Sequence, residues 1–290
     1  MSDADNDVSR GADPSLDAFV QRVRLDLSYD GTDFSGWAVQ PGRRTVQADV
    51  QAALATALRL AQVALTVAGR TDAGVHATGQ VAHADLPVAA WRDAGTRLVR
   101  SVNGLLAADV RVRAITVAPS GFDARFSALW RRYEYRICDR PTGVTPLRRR
   151  LVLNWPRPLD EAAMAEAARQ LLGLHDFAAF CRFRKGSTSV RTMQRLDVER
   201  IDDEIVCTVQ ADAFCHSMVR SLVGALIAVG DGRRMPNWPA ALLEHDRRAD
   251  DVTVAAPHGL TLVGVGYPPD SELADRAQRT RAVRAPLSRP

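Results

Sequence analysis

Between residues 22 and 29 the chain alternates, with Val23, Leu25, Leu27 and Tyr29 set against Arg22, Arg24, Asp26 and Ser28. A period of two predicts a strand with one buried face. After a loop over residues 31–37 the period changes to that of a helix. Val46, Val50, Ala53, Leu54, Ala57 and Leu58 recur at helical spacing, and Thr45 is placed to cap them. The pattern then predicts a short strand at 63–67, a longer one near 80–86 and a second helix over 90–102 that stops at Asn103-Gly104. A strand through Val110, Val112, Ile115 and Val117 completes this half.

The order β-α-β-β-α-β then recurs. A strand is predicted at 133–138, a helix at 160–172 ended by Gly173, and two strands around a turn at Asp202-Asp203. A helix over 216–229 and a last strand at 262–267 follow. The expected fold class is therefore α+β, with two ferredoxin-like halves whose mainly antiparallel sheets join edge to edge around a central cleft suited to a large ligand. The expected divisions are a disordered tail over 1–18, halves at 19–122 and 123–269, and a second disordered tail over 270–290, both tails being polar.

Composition narrows the class without choosing a function. With 290 residues, 46% hydrophobic and 25% charged, the chain has enough apolar material for a full core. No apolar run reaches the roughly 20 residues that span a bilayer, and the polar N-terminus has no signal-peptide core, so no membrane partner and a cytoplasmic location are expected. Four cysteines (Cys138, Cys181, Cys207, Cys215) and six histidines lack the paired spacing of a metal site. They are read as packed free thiols and scattered rings, with no metal and no cofactor. A net charge of +4 is only mildly basic. Its distribution says more, because arginines cluster at 131, 132 and 136, at 148–150 and, with Lys185, at 182–185, as footing for a polyanion.

One segment stands out chemically: GRTDAGVHATGQ, residues 69–80, places a single carboxylate, Asp72, among glycines and small residues between two strands. Gly69, Gly74 and Gly79 permit sharp turns and close approach of a ligand, and Arg70 can hold a phosphate or steady the acid. A hairpin connection whose Asp and Thr cap their own backbone explains the local pattern equally well. Arg220 is a lone charge in the first turn of an otherwise apolar helix, where the dipole disfavours it. It calls for an acidic partner, and Asp212 or solvent would serve.

These blocks together resemble the TruA-type tRNA pseudouridine synthases. The resemblance rests on GRTDAGVHATGQVAH and is extended by Tyr29-Asp30-Gly31, Gly36-Trp37, the run from Phe122 to Ser127, Arg131-Arg132-Tyr133-Glu134-Tyr135, and Ala213-Phe214 with His216, Met218, Val219 and Arg220. Ala38 and Ala77 depart from the family's usual glutamine and glycine. The resemblance implies an isomerase that converts uridine to pseudouridine at positions 38, 39 and 40 in the anticodon arm of tRNA, acting as a homodimer without cofactor. Asp72 would be the nucleophile on a flipped-out base, through a covalent or glycal intermediate. Arg220 would pair with Asp72 and keep it ionised. Tyr133 would stack on the uracil and take part in proton transfer, while Arg70, Thr71, His76, Arg131, Arg132 and His216 would line the substrate. Two other classes compete. A non-catalytic tRNA-folding protein would keep the groove without the chemistry, and a glycosidase would need a second acid near Asp72, where Glu134 is the only strand candidate.

Overall fold

The computed structural model describes residues 20–182 and 188–281. The expectations for 1–18, Arg184, Lys185 and 282–290 lie outside them. In chain order the elements are β1 (Val20–Tyr29), α1 (Val46–Leu58), β2 (Thr66–Val67), β3 (His76–Pro87), α2 (Val88–Ala94), α3 (Leu98–Leu105) and β4 (Val110–Val117). The second half contributes β5 (Trp130–Cys138), β6 (Leu153–Asn154), α4 (Glu161–Arg169), β7 (Gly173–Asp176), β8 (Val190–Ile201), β9 (Glu204–Ala211), α5 (Met218–Gly230), α6 (Trp238–Ala241), β10 (Leu260–Gly266) and α7 (Leu273–Arg281). No helix among these residues is long and apolar enough to cross a membrane.

The strands form one ten-stranded sheet in the order β4-β1-β3-β10-β5-β9-β8-β7, with β2 on β3 and β6 on β5. Within it each half keeps the ferredoxin-like arrangement, fourth strand beside first, first beside third, third beside second: β4-β1-β3-β2, then β10-β5-β9-β8. The halves are fused where β10 runs parallel to the start of β3, pairing Thr261 with His76 and Leu262 with Ala77. β2 pairs with β3 farther along, at Ala82 and His83. The long strand β3 therefore serves both halves, and residues 68–75 bridge from β2 to the seam.

Local chemistry explains some element ends. Thr45 caps α1 by accepting from the Ala48 amide. Asp202, in the left-handed region at φ 52°, turns β8 into β9. The inward residues of β1, Val23, Leu25, Leu27 and Tyr29, are buried as their alternation requires, and α5 is buried along nearly its whole length.

Three expectations change. The helix foreseen at 90–102 is two helices, because Gly95 adopts φ 50° and breaks the path, and the second runs through Asn103-Gly104, where a stop was expected, to Leu105. Gly173 does not end the helix, which stops at Arg169 with Gln170 as its cap; with φ 104° it opens the edge strand β7. The tail foreseen from 270 is helical as far as Arg281. Leu273 and Ala277, one turn apart, give α7 a narrow apolar stripe, and both are buried. Leu273 packs with Phe122, Ala124, Ala68, Val81 and Ala118, and its carbonyl accepts from the Ser127 hydroxyl at 3.0 Å.

Gly79 marks the tightness of the seam, for a β-carbon there would collide with the Val263 carbonyl of β10. Replacing Gly79 with Ala is expected to cost about 1–3 kcal/mol by overpacking, measured as a lower urea midpoint at unchanged m-value.

Candidate active site

The bridge over residues 68–75 carries Asp72 and is held from several directions. The Trp37 amide donates to the Thr71 carbonyl at 3.0 Å, and the Gly74 amide to the Phe34 carbonyl at 3.3 Å. Gly36, at φ 94°, lets the 31–37 loop press against the backbone of Thr71 and Asp72 with no room for a side chain. Arg131 donates to the Ala68 carbonyl, and Gln80 to the Gly69 carbonyl at 2.8 Å. The carbonyls of 68, 69 and 71 are thus all engaged.

Asp72 projects from this frame with its side chain 28% exposed. Two cationic or titratable groups from the other half meet it. Arg220, in the first turn of α5, brings Nη1 to 3.5 Å from one carboxylate oxygen, and the His216 ring brings Nε2 to 3.5 Å from the other. Both distances are long for hydrogen bonds, so the carboxylate keeps lone pairs available to a substrate. The guanidinium is fixed independently, as its Nε donates to the Ala255 carbonyl at 2.7 Å while the Ala255 amide returns a bond to the Arg220 carbonyl. The rival partner Asp212 is otherwise occupied: its Oδ1 accepts from the amides of Thr192 and Ala213. Ser217 in the left-handed region, φ 64°, makes the turn that aims His216 before α5 begins.

Tyr133 closes one side. Its ring is buried and meets Phe214 edge-on at 5.2 Å, and its hydroxyl lies beside Gly69. Burial pushes the phenol well above its usual range, with Tyr29 and Asp72 adding to the rise. A phenol held protonated is a donor and a platform rather than a base. Tyr135, of the same strand parity, is fully buried and donates to the Ala256 carbonyl at 2.8 Å.

Not every expected site residue reaches the cleft. Arg131 shares the inward parity of Tyr133 and Tyr135, is only 6% exposed, and spends its guanidinium on the carbonyls of Ala68, Arg125 and Asp212, so it is a strut rather than a phosphate contact. Burial lowers its pKa from the ordinary arginine value. His76 is 2% exposed. Its Nδ1 lies 3.0 Å from the Gly31 amide and 3.1 Å from an Asp30 carboxylate oxygen, and its Nε2 donates to the His258 carbonyl at 3.1 Å, which ties the seam to the 31–37 loop. Thr71 is buried with its hydroxyl on Tyr29. Arg132 points to the opposite face of the sheet, over Trp130 and bonded to Gln210. Arg70 is exposed beside Asp72.

The cysteine reading also changes, because Cys181 and Cys215 are joined as a disulfide, with Cα atoms 5.7 Å apart. A separation of 34 residues carries no pairing signal. Cys138 and Cys207 are free and buried. The sequence reading did not single out Gln80, the Tyr29 hydroxyl or the Ala255 carbonyl. A glutamine on a strand's inward parity, where an apolar residue belongs, was the available signal for the first.

The family model described as tRNA pseudouridine synthase matches residues 167–268, the stretch that contains Arg220. Similarity to curated relatives runs through both halves. The chain is 63% identical over 266 residues to a tRNA pseudouridine synthase A of Frankia casuarinae, covering 91% of this chain and 96% of that one. It is 57% identical to that of Streptomyces avermitilis, over 90% and 93%, and 53% identical to that of Mycobacterium leprae, over 91% and 96%. At this identity over nearly full length, the chain belongs to the tRNA pseudouridine synthase family.

Proposed function

We propose that this isomerase converts uridine to pseudouridine in tRNA, at positions 38, 39 and 40 of the anticodon arm, with Asp72 as the nucleophile. The observation that carries the reading is one carboxylate, fixed by backbone bonds and met by Arg220 and His216, beside the buried ring of Tyr133. The reaction breaks the bond from N1 to the sugar, turns the uracil, and joins the sugar to C5. C5 loses its proton and N1 gains one, so the product is an isomer and no redox partner is consumed. A uridine in a stacked arm offers its sugar to no side chain, so the base must be flipped out first.

In this reading the Arg220 guanidinium helps hold Asp72 in place for attack. Tyr133 supplies an aromatic face for the uracil, and its protonated hydroxyl suits donation better than acceptance of the C5 proton. Arg70 and Arg43, exposed on the same half, can meet phosphates, whereas Arg148 and Arg150 are already paired with Glu204 and with Asp30 and Asp33. Two copies gripping one tRNA, in the cytoplasm, complete the proposal.

Unmodified tRNA transcripts incubated with the protein are expected to gain pseudouridine at those three positions. Asp72→Asn is expected to lose at least about a thousand-fold in rate, about 4 kcal/mol of transition-state stabilisation, while retaining RNA affinity by filter binding. Tight binding by both proteins with no product from either would favour a tRNA-folding protein instead. Tyr133→Phe keeps the aromatic face and is expected to keep more activity than Tyr133→Ala, which forfeits a stacking contact of about 1–3 kcal/mol. Equal loss in single-turnover assays would put the hydroxyl, not the face, in the leading role.

A further inference from the structure

Behind the Asp72 loop lies a row of buried polar groups that the reaction itself does not call for. Gln80 is completely buried on β3, Tyr29 is buried at the end of β1, and Thr71 is the residue before Asp72. The Gln80 amide nitrogen lies 2.8 Å from the Gly69 carbonyl and 3.1 Å from the Tyr29 hydroxyl, which in turn lies 2.8 Å from the Thr71 hydroxyl. The amide oxygen of Gln80 accepts from the Val81 backbone N–H.

The direction of these bonds follows from the inventory of donors. The Val81 N–H can only donate and the Gly69 carbonyl can only accept, so the Gln80 amide has one permitted orientation, with its NH2 toward Gly69 and Tyr29. The Tyr29 oxygen is then an acceptor from Gln80, and between it and the Thr71 hydroxyl either oxygen can be the donor, the phenol keeping its own proton. Burial pushes the Tyr29 phenol up to about 12, so that proton is present throughout the physiological range. Leaving any of these groups unmatched in the interior would cost more than the bond itself contributes, so the three side chains set one another's positions.

We infer that Gln80, Tyr29 and Thr71 form a positioning relay that sets the placement of Asp72 and makes Tyr29 and Gln80 determinants of the chemical step without touching the substrate. The inference rests on the reading of Asp72 as the catalytic carboxylate. Gln80 holds the loop on the near side of Asp72 through Gly69, and Tyr29 holds the adjoining residue through its side chain. The Trp37 amide fixes the carbonyl of that same residue. With Thr71 pinned by side chain and by backbone, the Cα of Asp72 has little freedom, and the long contacts to Arg220 and His216 need not hold it alone.

The test uses near-isosteric changes on the full chain: Tyr29→Phe, Thr71→Val and the pair together, with Asp72→Asn in parallel. Tyr29→Phe keeps the ring that packs near Trp37 and removes only the hydroxyl. Single-turnover rates on tRNA transcripts are compared with KM and with melting temperature. Tyr29→Phe and Thr71→Val are each expected to lower the rate by about 10- to 100-fold, the scale of a small misplacement of a catalytic group, with KM changed less than about two-fold. Because both remove the same bond, the double variant should be no slower than the slower single one. A lower melting temperature with an unchanged rate per folded molecule would reduce the row to a structural role and overturn the inference, as would strictly additive losses. Should Tyr29→Phe fail to fold, Thr71→Val removes the same bond from the other end and decides the matter. Activity retained by Asp72→Asn would sink the catalytic reading itself, whereas an inactive Asp72→Asn beside a fully active Tyr29→Phe would sink only the relay.

Discussion

Asp72 and Arg220 stand 148 residues apart, and they meet because β10 lies parallel to the first residues of β3. Everything at the site depends on that seam. Each half alone is an open sheet with an unpaired edge, a poor place for a fixed carboxylate because edge backbone is free to move and to pair elsewhere. Fusing the halves makes β10 an interior strand and pairs the first residues of β3, which β2 leaves uncovered. It also brings the turn before β3 from one half under the helix α5 from the other. The absence of a side chain at Gly79 and the buried His76, bonded to the 31–37 loop on one side and to His258 on the other, show how little slack the junction has.

Arg131 extends the same logic. A buried guanidinium is costly, and its lowered pKa records the loss of solvation. Its return is connectivity. One side chain joins the carbonyl of Ala68 in the turn that carries Asp72, that of Arg125 in the segment between the halves, and that of Asp212 at the end of β9. Three chain segments that share no ladder are thereby held in one geometry. An apolar replacement of similar size would leave those carbonyls without partners, which is why a charge is tolerated there.

How much of this was legible beforehand divides along physical lines. Features written in local periodicity were readable: the alternation of β1, the capped helix α1, the apolar run of α5 and the order of elements in both halves. So was the glycine-rich turn around Asp72. What escaped depended on contacts distant in sequence. Arg131, His76 and Gln80 look like surface residues because charged and polar side chains are usually exposed. Strand parity alone, shared with Tyr133 and Tyr135, would have turned Arg131 inward. The stripe of α7 is only two residues wide, Leu273 and Ala277, and its polar surroundings outweigh it until the patch around Phe122 and Ala124 is known. The pairing of Cys181 with Cys215 depends on the approach of the β9–α5 connection to the segment after α4, which no spacing rule anticipates.

The contrast within the site explains its design. The backbone of the turn is over-determined, with the carbonyls of Ala68, Gly69 and Thr71 bonded and the Gly36 loop pressed behind it, yet the carboxylate's contacts to Arg220 and His216 are long. On the proposal that Asp72 is the nucleophile, tight bonds to the carboxylate would lower its energy before reaction and would have to be broken for it to attack. Bonds to its backbone cost nothing at that moment, since they are the same before and after. A group that must change its bonding while staying in place is best held by atoms that do not react. The buried row behind Asp72 and the strut of Arg131 meet that requirement from both sides of the seam.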